Sequence, residues 1–186
     1  MWKNICTWIK GNLFKNMERF KVLIVYIVVL AVAIGVGFWL FKTSAKKSAN
    51  LLGQTFENQG QVHITEGSTN HPAYNSNPPT SGWHWPSPAA WGIYPGGQPD
   101  ERLVHNLEHG GIWISYQPGK VDQNTINQLN DYANRYAKII VEPRDKDSAP
   151  IVLAAWTHLE NLNSYDETKI LEFIRAYYDQ GPEKVN

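Results

Sequence analysis

The sequence predicts an α/β (α+β) fold: a small mixed β-sheet domain with packed helices and a long ordered Pro/Gly/aromatic loop, behind a single N-terminal transmembrane helix. Three observations carry this. Residues 22–41 form an uncharged apolar run of bilayer-spanning length. Residues 70–97 hold six prolines, four glycines and five Trp or Tyr residues without periodicity. Beyond residue 110, strand-like and helix-like apolar patterns alternate, as packed α/β layers require. The expected organisation is a cytoplasmic basic, amphipathic segment at 1–21, the span at 22–41, a tether at 42–59, an extracytoplasmic α/β domain at 60–181 and a tail at 182–186.

Basic residues are heavier before the apolar run (Lys3, Lys10, Lys15, Arg19, Lys21) than after it (Lys42, Lys46, Lys47). That bias favours an N-terminus inside the cell and a C-terminal domain outside. The run exceeds a signal-peptide core, so an uncleaved anchor is expected. Trp2, Ile5, Trp8, Ile9 and Leu13 recur at helical intervals among lysines, which fits either a helix lying on the inner membrane face or a disordered tail. Gln61–Thr65 alternates polar and apolar residues, as a short strand would, with His63 turned away from the apolar side. In the proline-rich stretch, Tyr74, Trp83, Trp85, Trp91 and Tyr94 present too much ring surface to leave in water, so this loop is expected to wrap on the domain and carry His84 with it.

Pro99 suits a first helical turn, Asp100 and Glu101 complement its positive end, and Gly110 suits a left-handed stop. A helix of about three turns therefore carries His105, Glu108 and His109. Residues 112–116 follow as a strand. Asp122 caps a helix to about Ala137, with Ile126, Leu129, Tyr132, Ala133 and Tyr136 on one side. Residues 138–142 and 151–156 read as strands, the second apolar at successive positions and so central. Ser164 with Glu167 reads as a capping box for a last helix through Ile170, Leu171, Phe173, Ile174 and Tyr177.

The chemistry concentrates on HNLEH at 105–109. Histidines four apart share a helix face, so both imidazoles can reach one metal ion if each is neutral. The order His-x-x-Glu-His also matches the inverted zinc-protease signature, with Glu108 activating a metal-bound water and Glu160, Glu167 or Glu172 as a distant ligand. Two glycines and a strand follow at once, however, where those proteases continue as longer helical architecture. His84 and His63 are the candidates to complete the set; His71, before Pro72, and His158, at a strand end, read as structural. A short amphipathic helix whose polar residues bond to neighbouring loops would need no metal at all.

The sole cysteine, Cys6, and both methionines, Met1 and Met17, precede the apolar run. No intrachain disulfide can form, and soft Cu(I) ligation is disfavoured downstream. Imidazole with carboxylate suits a divalent metal, zinc first and copper(II) second. Zero net charge offers no footprint for nucleic acid, and no Gly-rich loop points to a nucleotide cofactor. The expected partners are the bilayer and an unidentified membrane or envelope protein. A metal-dependent hydrolase using Glu108 and a metal-free binding or assembly module with an aromatic surface are the alternatives.

Two stretches, YNSNPPTSGWH at 74–84 and VHNLEHGG at 104–111, resemble a family of bacterial membrane-anchored proteins classed as a domain of unknown function, of the DUF3105 type. The resemblance implies a single-pass bacterial protein with an extracytoplasmic domain and supplies no activity. His84, His105 and His109 match its motifs, and His63 corresponds more weakly. Trp83 departs from the small residue or proline expected before the loop histidine.

Overall fold

The computed structural model describes residues 30–32, 34–35 and 53–184. The predicted span at 22–41 lies outside this set except at 30–32 and 34–35, which are helical and expose Leu30, Val32 and Ile34. Among the described residues, no helix is long and apolar enough to cross a membrane. The 1–21 segment lies outside them.

From residue 53 onward the chain builds one six-stranded mixed sheet. Its strands are β1 (Gln54–Thr55), β2 (Gly92–Ile93), β3 (Ile112–Tyr116), β4 (Ile139–Pro143), β5 (Ile151–Ala155) and β6 (His158–Leu162), in the order β1-β6-β5-β3-β4-β2. β3 and β4 are parallel, joined by a crossover through α2 (Gln123–Arg135), while β5 pairs antiparallel with both β3 and β6. β5 is buried at every position because it is interior and both faces are covered, as its continuous apolar run requires.

The strand alternation divides the core into two layers. Ile112, Ile114, Val141 and Leu153 face α2 and α3 (Glu167–Tyr177), packing on Leu129, Tyr132, Ile170 and Phe173. Trp113, Ile140 and Ala154 face the other way, onto Leu103, Val104 and Leu107 of α1 (Asp100–Glu108). Tyr74, Trp91 and Tyr94 of the proline-rich loop join that second layer, and Trp85 is buried. All five loop aromatics are therefore wholly or partly covered, consistent with a packing role.

Several details differ from expectation. Gln61–Thr65 is no strand of the sheet: it makes a single parallel bridge, His63 to His84, because its partner is the irregular loop and not another strand. The expected tether contributes β1, which pairs with β6. β6 has no continuous apolar pattern, since it lies beside the short edge strand and only Leu159 and Leu162 are buried. The cap of α3 is Asp166, whose carboxylate accepts from Lys169 N–H at 3.1 Å, in place of a Ser164–Glu167 box. Glu183, in the expected tail, is also engaged: its N–H donates to the Glu108 carbonyl at 3.1 Å.

Candidate metal centre

α1 opens after Pro99, and its first turn carries Asp100, held by the Arg144 guanidinium. Helical spacing puts Leu103, Val104 and Leu107 on the sheet and leaves His105, Glu108 and Asn106 to meet the loop. Asn106 clamps that loop: its side chain accepts from Ala89 N–H and donates to the Ala89 carbonyl, each at 2.9 Å. Trp85 N–H donates to the Glu101 carbonyl at 3.1 Å. His84, directly before the Trp85 attachment, is thus delivered to the helix from a segment with no regular structure. The bridge to His84, with Ile64 N–H donating to the His84 carbonyl at 2.8 Å and His84 N–H donating to the Val62 carbonyl at 3.0 Å, brings in His63.

One atom each from His63, His84, His105 and Glu108 lies within 4.8 Å of the others. Glu108 Oε2 is 3.0 Å from His84 Nε2 and 3.6 Å from His63 Nε2. Two donors on one tetrahedral ion, at bonds of about 2.0–2.1 Å, stand roughly 3.3 Å apart, so these separations are close to a ligand set. The rings of His84 and His105 are 5.1 Å apart at 74°, an orientation that lets both point at a common centre. His63 is stacked on His105, with planes 7° apart, and must turn to direct Nε2 at the same point; at 45 % side-chain exposure it has room.

Each buried donor is oriented from behind. His84 Nδ1 lies 2.7 Å from the Gly82 carbonyl, and His105 Nδ1 lies 2.7 Å from the Trp85 carbonyl. A carbonyl only accepts, so both Nδ1 atoms carry the hydrogen and each neutral ring keeps its lone pair on Nε2. This backbone orientation of a ring by its far nitrogen is the usual arrangement behind metal-bound histidines. Glu108 Oε1 accepts from Gln61 Nε2 at 2.7 Å, turning Oε2 to the nitrogens. Burial pushes the His84 imidazole below its ordinary value, against the Gly82 carbonyl and Glu108, which act to raise it. Burial acts to raise the Glu108 carboxyl, but the Gln61 amide and the adjoining His84 together hold it below the usual carboxylate range. His84 is therefore favoured as neutral imidazole and Glu108 as ionised carboxylate, the forms that bind metal.

His109 falls outside this group. Its Nε2 is 2.8 Å from His105 Nε2, and its Nδ1 is 3.8 Å from Glu183 Oε2, so His105, His109 and Glu183 form a second cluster of candidate ligands. The i, i+4 spacing correctly placed His105 and His109 on one face, with ring centroids 4.6 Å apart. It could not show that the loop histidines meet His105 in a cluster that His109 does not join. Glu183 and Gln61 were missed by sequence reasoning, and no local pattern marks either. His71 contacts Glu101 at 3.3 Å and His158 Nδ1 lies 2.9 Å from the Trp156 carbonyl, both outside the two clusters.

Comparison with curated proteins and with solved structures finds no match. The family described as protein of unknown function (DUF3105) matches over residues 65–186, a stretch containing His84, α1 and every residue of the second cluster. Since that covers well over half of the sequence, the chain belongs to the DUF3105 family.

Proposed function

We propose that this chain binds one divalent metal cation through His63, His84, His105 and Glu108, with zinc the favoured ion and copper(II) second. The observation that supports this best is the contact between His84 Nε2 and Glu108 Oε2 at 3.0 Å. The Gly82 carbonyl engages the only N–H of a neutral His84, so Nε2 presents a lone pair to a carboxylate. Two acceptors at that distance repel unless a cation stands between them. A proton would serve one pair, whereas further donor atoms of His105 and His63 within 4.8 Å of both favour a metal. Imidazole and carboxylate without sulfur suit Zn(II) or Cu(II). Glu108 is read as a ligand and not as the base of a hydrolase: Gln61 occupies one oxygen and the other belongs to the ligand set.

The same reading places the domain outside a bacterial cell membrane, anchored by residues 22–41, for handling or sensing metal there. The length of the apolar run and its basic flank support that topology. The test of metal binding is elemental analysis of the full chain purified without a histidine tag, combined with thermal melts with and without Zn(II) at neutral pH. One equivalent of metal is expected. At a free concentration of about 100 Kd the folded state gains about 2.7 kcal/mol and the melting temperature rises. His105→Ala loses that rise and His84→Ala reduces it; His158→Ala keeps it. A wild-type chain that is metal-free and unmoved by either Zn(II) or Cu(II) refutes the reading.

A further inference from the structure

His105 belongs to two ligand clusters at once, and it has one atom to give. Its Nδ1–H is tied to the Trp85 carbonyl at 2.7 Å, so only Nε2 can bind a cation, and Nε2 has a single lone pair. The inner cluster adds His63, His84 and Glu108; the outer adds His109 and Glu183. We infer that the motif helix offers a divalent cation two mutually exclusive positions sharing His105 Nε2, and that the outer position, with His109 and Glu183, loads the inner one. This rests on the inner site proposed above.

The outer cluster has the chemistry of a receiving site. With His105 Nδ1–H committed to the carbonyl, the 2.8 Å contact between the two Nε2 atoms makes His109 the donor. Its Nδ1 is then an acceptor, and among the described residues that buried atom has no hydrogen-bond partner. Glu183 Oε2 lies 3.8 Å from it on a side chain that is 53 % exposed. Two acceptors, one a solvent-facing carboxylate, can therefore take a cation from water. On the His63 side the only carboxylate of the inner cluster is Glu108, which is buried, so an approaching cation meets less attraction there.

The C-terminal segment is built against the helix end and not merely near it. Asp179 N–H donates to the Gly110 carbonyl at 2.8 Å and Glu183 N–H to the Glu108 carbonyl at 3.1 Å. Lys138 Nζ bonds both the His109 carbonyl, at 3.2 Å, and Asp179 Oδ1, at 2.5 Å. Gly181 lies so close to the Glu108 carbonyl and Gly110 N–H that a Cβ there would overlap both. Glu183 is thus presented to His109 by backbone contacts. Movement of the ion inward exchanges His109 and Glu183 for His84, His63 and Glu108 while the His105 bond is kept, and the His105–His109 hydrogen bond is broken while the metal is bound.

Stopped-flow uptake of Co(II) by the full metal-free chain tests this, read by its ligand-field absorption and checked by elemental analysis. Wild type is expected to take up one Co(II). Glu183→Gln and His109→Ala should reach the same stoichiometry and the same final spectrum, but load about tenfold more slowly, the size of effect that removing a steering charge or receiving ligand gives. His84→Ala should load at the wild-type rate and hold Co(II) in the outer position with an altered spectrum. Unchanged rates in both Glu183→Gln and His109→Ala would assign loading to the His63 side and overturn the inference. So would two Co(II) per wild-type chain, since the positions would not be exclusive, or a His84→Ala chain that takes up none, which would leave the inner site standing alone. Failure of wild type to bind Co(II), Zn(II) or Cu(II) would instead remove the metal reading itself.

Discussion

Replacing Glu142 with Gln should abolish a pH dependence of stability that the wild-type chain carries. Glu142 lies on β4 opposite Ser115, facing the α1 side of the sheet, and is 1 % exposed. Among the described residues its Oε2 has no hydrogen-bond partner. Burial pushes its carboxyl up to about 8, with Asp100 adding in the same direction, against the Gln98 backbone N–H and Arg144. In the unfolded chain the group ionises near 4.5. Between these values the folded form holds a proton that the unfolded form has released. The Glu142 contribution is therefore fully present below pH 4.5 and is lost as pH rises toward about 8. The slope is about 1.4 kcal/mol per pH unit, or about 3 kcal/mol from pH 5 to pH 7. Gln is neutral throughout and lacks this slope. Urea denaturation of both chains at pH 5, 6 and 7, with chelator present to exclude metal, isolates the group because all other titrations are shared. The stability of Glu142→Gln relative to wild type should rise by about 3 kcal/mol across that range. A difference that stays constant with pH would show that Glu142 is ionised when folded, and would refute the argument.

Two further outcomes follow from the architecture. Asn106→Ala leaves the buried Ala89 N–H and carbonyl without their partner, and should cost about 2–4 kcal/mol in denaturant titration. It should also open the Pro86–Pro88 region to limited proteolysis and weaken Zn(II) binding through the displaced His84; stability within about 0.5 kcal/mol of wild type would show that the loop is held by its aromatics alone. Protease added to intact spheroplasts should remove the domain beyond residue 46, and full protection would reverse the proposed topology.

How much of this was legible in sequence depends on the range of each interaction. Strand and helix periodicity located β3, β5 and α2 to within a residue or two, because those elements bury one stripe or two whole faces and the pattern of apolar residues records it. The cap by Asp122 was equally local, its carboxylate accepting from Thr125 N–H at 2.7 Å. The helix stop was local too, with Gly110 at φ 79°. β1 and β6 were not legible. Each is short or half-exposed and exists because the other supplies its hydrogen bonds.

The sequence by itself determined that His105 and His109 share a helix face, since a 3.6-residue turn leaves no other arrangement. It also determined that the aromatic loop had to fold onto the domain, because so many rings cannot remain in water. Only the tertiary structure decided which donors meet. His84 reaches Glu108 through an aperiodic loop pinned by Asn106 and Trp85, Gln61 lies 47 residues from the carboxylate it orients, and Glu183 returns from the far end of the chain to His109. Contacts between such distant positions arise from packing of whole elements, which leaves no periodicity or spacing in the sequence around any one of them.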